Sequence, residues 1–154
     1  MKSTPKFRTI IADYELLARE RLKKLLTPVS QTIEIIGEAQ NGIECKRMIN
    51  EMKPDLIFLD IQMPKITGFE LLELLDHKPQ IIFATAYDQY AIKAFEYHAA
   101  DYLLKPYSKD RLLEAVEKVY ERILKEGNSS DVADKIVDHQ KEKALDGVLV
   151  NDRK

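Results

Sequence analysis

The sequence predicts an α/β domain, a doubly wound five-stranded parallel sheet with helices on both faces, over about residues 7 to 125. Three observations predict it. Strands and helices alternate strictly, the connections between them are short, and the strands are nearly continuous apolar runs rather than half-polar alternations.

Phe7 to Ala12 reads as the first strand, and Glu15 to Leu26 as a helix with Ala18, Leu22, Leu25 and Leu26 on one face; Pro28 stops it. Ile33 to Ala39 is the second strand. Asn41-Gly42 opens a helix that runs to about Met52, ahead of Lys53-Pro54. The third strand ends at Asp60; Pro64 and Thr67-Gly68 then make a turn, with Thr67 as N-cap of a helix from Phe69 to Leu75. Gln80 to Ala84 is the fourth strand. Asp88 to His98 reads as a helix with Ala91, Ala94, Phe95 and His98 inward, and Asp101 to Leu104 is the fifth strand. After Ser108, a good N-cap, the longest helix runs to about Lys125, with Leu112, Val116, Val119, Tyr120 and Ile123 on one stripe. Past it the composition changes. Residues 1–126 form the first domain. In 127–154, Gly127-Asn128-Ser129-Ser130 reads as a linker, and Val148-Leu149-Val150 as a strand without a partner. The expectation is a chain cut just inside a second domain, the alternative a native tail.

The chemistry sits where these strands end. Asp60 closes the run Leu56-Ile57-Phe58-Leu59, Thr85 follows Ile81-Ile82-Phe83-Ala84, and Lys105 follows Tyr102-Leu103-Leu104; Asp13 ends the first strand. In an open parallel sheet these side chains converge on the carboxyl rim. Such a rim suits a phosphoryl group: a carboxylate can attack phosphorus and form an acyl phosphate, while an ammonium and a hydroxyl neutralise the oxygens. A hard divalent metal, Mg2+, would draw on Asp13, Asp60 and the main-chain carbonyl of Gln62. Taken singly each residue has an ordinary reading, Asp60 as a turn residue, Thr85 as a cap and Lys105 as a surface charge; the joint arrangement argues against it.

Composition narrows the classes. The chain has 154 residues, 45% hydrophobic and 32% charged, enough for one α/β domain with a sizeable core. Its formal net charge of −2 gives no global attraction to nucleic acid or to an anionic membrane, so DNA contact would need another segment. No apolar run approaches the ~18 residues of a membrane span, and Met1 to Phe7 has no signal-type apolar stretch, so a cytoplasmic location is expected. One cysteine excludes an internal disulfide; Cys45 shares a helical face with Met48, Ile49 and Met52 and reads as a core thiol. His77, His98 and His139 lack the spacing for zinc.

Ile11-Ala12-Asp13, Phe58-Leu59-Asp60-Ile61-Gln62-Met63-Pro64, Thr85-Ala86 and Asp101-Tyr102-Leu103-Leu104-Lys105-Pro106 resemble the receiver domain of bacterial two-component response regulators. Leu17-Ala18-Arg19-Glu20 and the segment Thr85 to Glu96 are similar to receivers joined to a LytTR-type (LytR/AlgR-like) DNA-binding domain. The resemblance implies a flavodoxin-like receiver fold. It also implies Asp60 as phosphoacceptor from a sensor histidine kinase, Lys105 and Thr85 as grips on the phosphoryl oxygens, and Tyr102 as the aromatic that turns with Thr85. A Lys105-Pro106 bond that is often cis is implied too, as is a homodimer through the fourth helix, fifth strand and fifth helix. Lys93, Glu96, Asp101, Lys118 and Arg122 are the charges suited to pairing across that face.

One departure stands out. Where the family usually has a second acid after the first strand, this chain has Tyr14, neutral at pH 7, with Glu15 next in line and Leu16 where proline is common. The pocket loses a carboxylate ligand, and weaker Mg2+ binding is expected. Three function classes follow: a phosphoryl-accepting switch that controls an output domain; a phosphorylation-independent interaction module, for which Tyr14 speaks; and an enzyme. The last is least supported, since Gln62 stands where a second acid two residues after the nucleophile would be, and five glycines supply no phosphate-binding loop.

Overall fold

The computed structural model describes residues 6–126. It contains β1 (Phe7–Ala12), α1 (Leu16–Leu25), a 3-10 turn (Thr27–Val29), β2 (Ile33–Ala39), α2 (Gly42–Met52), β3 (Leu56–Leu59), α3 (Gly68–Glu73), β4 (Gln80–Thr85), α4 (Ala91–Glu96), β5 (Asp101–Leu104) and α5 (Lys109–Glu126). The strands form one parallel sheet in the order β2-β1-β3-β4-β5. The predicted doubly wound fold is therefore the observed one. The linker, the Val148 to Val150 strand and His139 lie outside the described residues.

Alternate strand residues feed two cores. Phe7, Ile11, Leu56 and Phe58 pack under α1 and α5 with Leu22, Leu26, Leu112, Val116 and Val119; Ile10, Ala12, Ile57, Leu59 and Phe83 pack under α2 and α3 with Cys45, Ile49, Phe69 and Leu71. Burial on both faces explains why the strands lack polar alternation. Cys45 is fully buried, and desolvation pushes its thiol up to about 12, which leaves it inert.

Capping residues start three helices. Asn41 accepts the Glu44 amide at 2.8 Å, Ser108 accepts the Arg111 amide at 3.0 Å, and Thr67 with Glu70 makes a reciprocal capping box. The fourth helix departs from expectation. It covers Ala91–Glu96 rather than Asp88 to His98, because Asp88 to Tyr90 form a turn and His98 takes a left-handed φ of 63°. Ala94 is buried, but Phe95 is 63% exposed and His98 points to solvent, so neither is the core residue the periodicity suggested.

Candidate functional site

Register delivers the site. Ala12 pairs with Leu59, so the next residues, Asp13 and Asp60, leave the adjacent strands β1 and β3 side by side; Thr85 pairs with Leu104, which puts Lys105 next to them on the same rim. Strand order reverses between β1 and β3, and the crevice outside such a switch point is where open α/β sheets bind ligands. Main-chain bonds lock the rim: Asp60 N–H donates to the Ala12 carbonyl at 3.0 Å and Lys105 N–H to the Thr85 carbonyl at 2.8 Å.

The four predicted side chains come together. Lys105 Nζ lies 2.6 Å from Asp13 Oδ2 and 3.3 Å from Asp60 Oδ2. Asp60 Oδ1 accepts the Ile61 amide at 2.7 Å, Asp13 Oδ1 accepts the Glu15 amide at 2.9 Å, and the buried Thr85 hydroxyl accepts the Tyr87 amide at 3.4 Å and favours the charged form of Asp60. Burial pushes the Asp60 carboxyl above its ordinary range; the Asp13 charge adds to this, and Lys105 only partly offsets both. Lys105 moves up as well, because its two carboxylate partners outweigh the desolvation that opposes them.

Tyr102, half-buried, donates its hydroxyl to the Tyr87 carbonyl, which ties it to the loop after Thr85. Gln62 is exposed, and its side-chain amide donates to the Tyr90 hydroxyl at 3.4 Å. The Lys105-Pro106 bond is cis. Tyr14 is 60% exposed and brings no carboxylate to the pocket. Glu15, exposed at the N-cap of α1, does not replace the missing acid. Among the described residues no three His, Cys, Asp or Glu side chains gather as metal ligands. The two carboxylates that do meet direct one oxygen each at a single cationic atom, Lys105 Nζ, so an oxygen-only donor pair for a hard divalent ion fits the site, one acid short.

The charges expected to pair between two copies behave differently. Buried Asp101 is held within the chain by Arg111 at 2.7 Å and Lys118 at 3.2 Å, and Arg122 donates to the His98 and Ala99 carbonyls, so these three are engaged internally. Lys93 lies over the Phe69 ring, 4.6 Å from its centroid. Ile92, Phe95 and Leu104 are exposed on α4 and β5, beside the exposed charges Lys93 and Glu96.

Sequence reasoning missed the arginines behind the rim. Arg19 Nη1 donates to the Asp13 carbonyl at 2.7 Å and the Tyr14 carbonyl at 3.4 Å, while its Nε contacts Glu38 at 2.9 Å. Arg21 Nη2 donates to the Tyr107 carbonyl at 2.6 Å. The available signal was Glu38, an acid near the end of β2, with Arg19 and Lys23 four apart on the helix before it.

A doubly wound sheet carries two acids, a hydroxyl and a lysine on its carboxyl rim, a set chemically suited to a phosphoryl group, and comparison with known proteins gives the family. Residues 9–117 match the response regulator receiver domain, and the chain belongs to that family of two-component systems, whose members interact with sensor histidine kinases. It is 50% identical over 124 residues to an uncharacterized response regulatory protein of Vibrio cholerae, covering 79% of this chain and 50% of that protein. It is 48% identical over 128 residues to the transcriptional regulatory protein BtsR of Escherichia coli, covering 82% and 52%. The chain thus spans about half the length of these curated relatives. Among solved structures it resembles the response regulatory domain of mrkE from Klebsiella pneumoniae, with a TM-score of 0.69 and 34% identity over 77% of this chain and 99% of that one. The receiver domain of AraT from Geobacillus stearothermophilus is similar too, with a TM-score of 0.70 and 32% identity over 78% and 97%.

Proposed function

We propose that this chain is a phosphoryl-accepting switch in which Asp60 takes the phosphoryl group from a phosphohistidine of a sensor histidine kinase. The observation that carries the reading is the Lys105 ammonium reaching both Asp13 and Asp60, with Thr85 on the same rim. An Asp60 oxygen attacks phosphorus, the P–N bond breaks with its electron pair going to the imidazole nitrogen, and an acyl phosphate remains. Lys105 then follows the charge onto a phosphoryl oxygen, and the Thr85 hydroxyl donates to another. As Thr85 shifts, its loop moves the Tyr87 carbonyl on which Tyr102 is anchored, so Tyr102 changes rotamer with it.

Asp13, Asp60 and the Gln62 main-chain carbonyl would hold Mg2+, which supplies charge neutralisation on the transferring oxygens. With a phenol at Tyr14 this set lacks one carboxylate, and weak affinity follows. The output is proposed to be transcriptional: residues 127–154 act as a linker and the start of a LytTR-type DNA-binding domain, and DNA is contacted through that domain alone. A transcriptional regulator among the half-covered relatives supports this. Phosphorylation favours a homodimer through α4, β5 and α5, where Ile92, Phe95 and Leu104 are exposed. A cytoplasmic site is proposed; no helix among the described residues is long and apolar enough to cross a membrane.

The second reading, a receiver-like interaction module that ignores phosphate, is favoured by Tyr14 alone. Incubation with a small phosphodonor, with and without Mg2+, separates the two. The switch gives one added phosphate by mass that Asp60→Ala abolishes, whereas no increase under any condition selects the module.

A further inference from the structure

Helix α1 contributes nothing to the rim directly, yet two of its arginines reach the backbone of both loops that build it. Arg19, only 12% exposed in its side chain, lays one nitrogen on the Asp13 and Tyr14 carbonyls and another on Glu38. Glu38 is in turn paired with Lys23 at 2.6 Å, and that hydrogen bond, with Arg19 beside it, holds its carboxyl below the ordinary range. A charged Glu38 therefore fixes the guanidinium from β2 while the guanidinium fixes the turn after β1. Arg21 acts on the opposite loop: it donates to the Tyr107 carbonyl and stacks over the Tyr107 ring, 5.0 Å from its centroid, two residues past Lys105. The two braced loops meet at the 2.6 Å contact between Asp13 and Lys105.

We infer that α1 is a two-armed brace, in which Arg19 is a positioning residue for the Asp13 carboxylate and Arg21 a positioning residue for Lys105. The inference rests on the proposed phosphoryl-accepting reading and extends it to residues that touch neither phosphate nor metal. Position matters more here than in a pocket with two acids on this turn: with Tyr14 in place of the second acid and Glu15 exposed, Asp13 is the turn's one buried carboxylate, and its Oδ1 is already fixed by the Glu15 amide. Only a guanidinium has the planar fork that contacts a carboxylate and two carbonyls together; a lysine in its place keeps the charge and loses the grip.

The sign of the effect separates positioning from plain electrostatics. Arg19 is a positive charge near a cation site, so its removal should strengthen Mg2+ binding if charge were its whole influence. The brace predicts the reverse. In Arg19→Gln, and equally in Arg19→Lys, Mg2+ affinity read from amide shifts of residues 13 to 15 falls about tenfold, the range for losing a group that orients a ligand. Exchange of the Glu15 amide with solvent accelerates by a similar factor, without any metal or phosphodonor present. In Arg21→Gln, Mg2+ affinity holds, and the rate of phosphorylation by a small phosphodonor at saturating Mg2+ falls severalfold. Unchanged or tighter Mg2+ binding with unchanged Glu15 exchange in both Arg19 variants overturns the inference. Should the unaltered chain take up no phosphate, the switch reading fails while the exchange and Mg2+ arms still decide on Arg19; should it bind no Mg2+, the Glu15 exchange decides alone.

Discussion

Asp60 is a carboxylate kept in a place that does not suit it: buried, beside another acid, with its proton affinity raised. The sign of its contribution follows. A carboxyl whose folded-state pKa lies above the unfolded value opposes folding at neutral pH, and the penalty disappears as pH falls through the folded value. Asp60→Asn is therefore expected to raise the thermal midpoint at pH 7, measured by calorimetry, while abolishing phosphate uptake; a lowered midpoint would contradict it. Tyr14→Asp tests the missing acid. A unit charge at ~4 Å in an effective dielectric of ~20 is worth ~4 kcal/mol before desolvation, so about a third of that surviving gives roughly tenfold tighter Mg2+ binding by titration. Acids at the ends of apolar strands were legible because a charge there conflicts with its surroundings unless it has a task. Arg19 was not legible in this role, because the destination of a long side chain depends on which backbone lies across from it, and that is a tertiary fact.

At the scale of elements, caps and alternation carried over and one helix length did not. The apolar spacing through Phe95 and His98 continued past the helix that forms, since α4 stops when His98 turns left-handed and Arg122 takes up the His98 and Ala99 carbonyls. An arginine arriving from α5 leaves no local trace in the segment it ends. The start of α3 was readable: Thr67→Ala removes a capping box and should cost about 1 kcal/mol of stability in denaturant unfolding. Gly68, one residue on, approaches the Asp60 carbonyl so closely that a Cβ would lie 2.7 Å from it; Gly68→Ala should displace the Asp60 loop and slow phosphorylation more than it lowers stability. Asp101 joins β5 to α5. Burial alone would raise its carboxyl, but Arg111, the Tyr102 amide and Lys118 hold it below the ordinary range. That stabilisation is present above the unfolded value of ~3.9 and is lost as pH falls through the folded one. Asp101→Ala should cost about 2 kcal/mol at pH 7 and progressively less as pH falls below the unfolded value.

For the whole molecule, the fold was legible because strict alternation allows few topologies, and strand order then dictates which rim residues meet. The outer surface was less so. Asp101, Lys118 and Arg122, expected to pair between copies, are used within one chain, and α4 and β5 expose Ile92, Phe95 and Leu104 beside Lys93 and Glu96. Phosphorylation acts on assembly only to the extent that the two loop arrangements differ in affinity for a second copy, with ~1.4 kcal/mol of difference giving a tenfold shift. Phe95→Asp should suppress phosphorylation-dependent dimerisation in sedimentation velocity without reducing phosphate uptake. The central claim, that Asp60 forms an acyl phosphate in a pocket made by Asp13, Thr85 and Lys105, is tested most directly by chemical trapping. The protein is treated with a small phosphodonor and Mg2+, reduced with borohydride, which converts an acyl phosphate to the alcohol, and sequenced by tandem mass spectrometry. The account predicts homoserine at position 60 alone, absent when Mg2+ is withheld at low donor concentration; no reduced residue, or one at another aspartate, would contradict it.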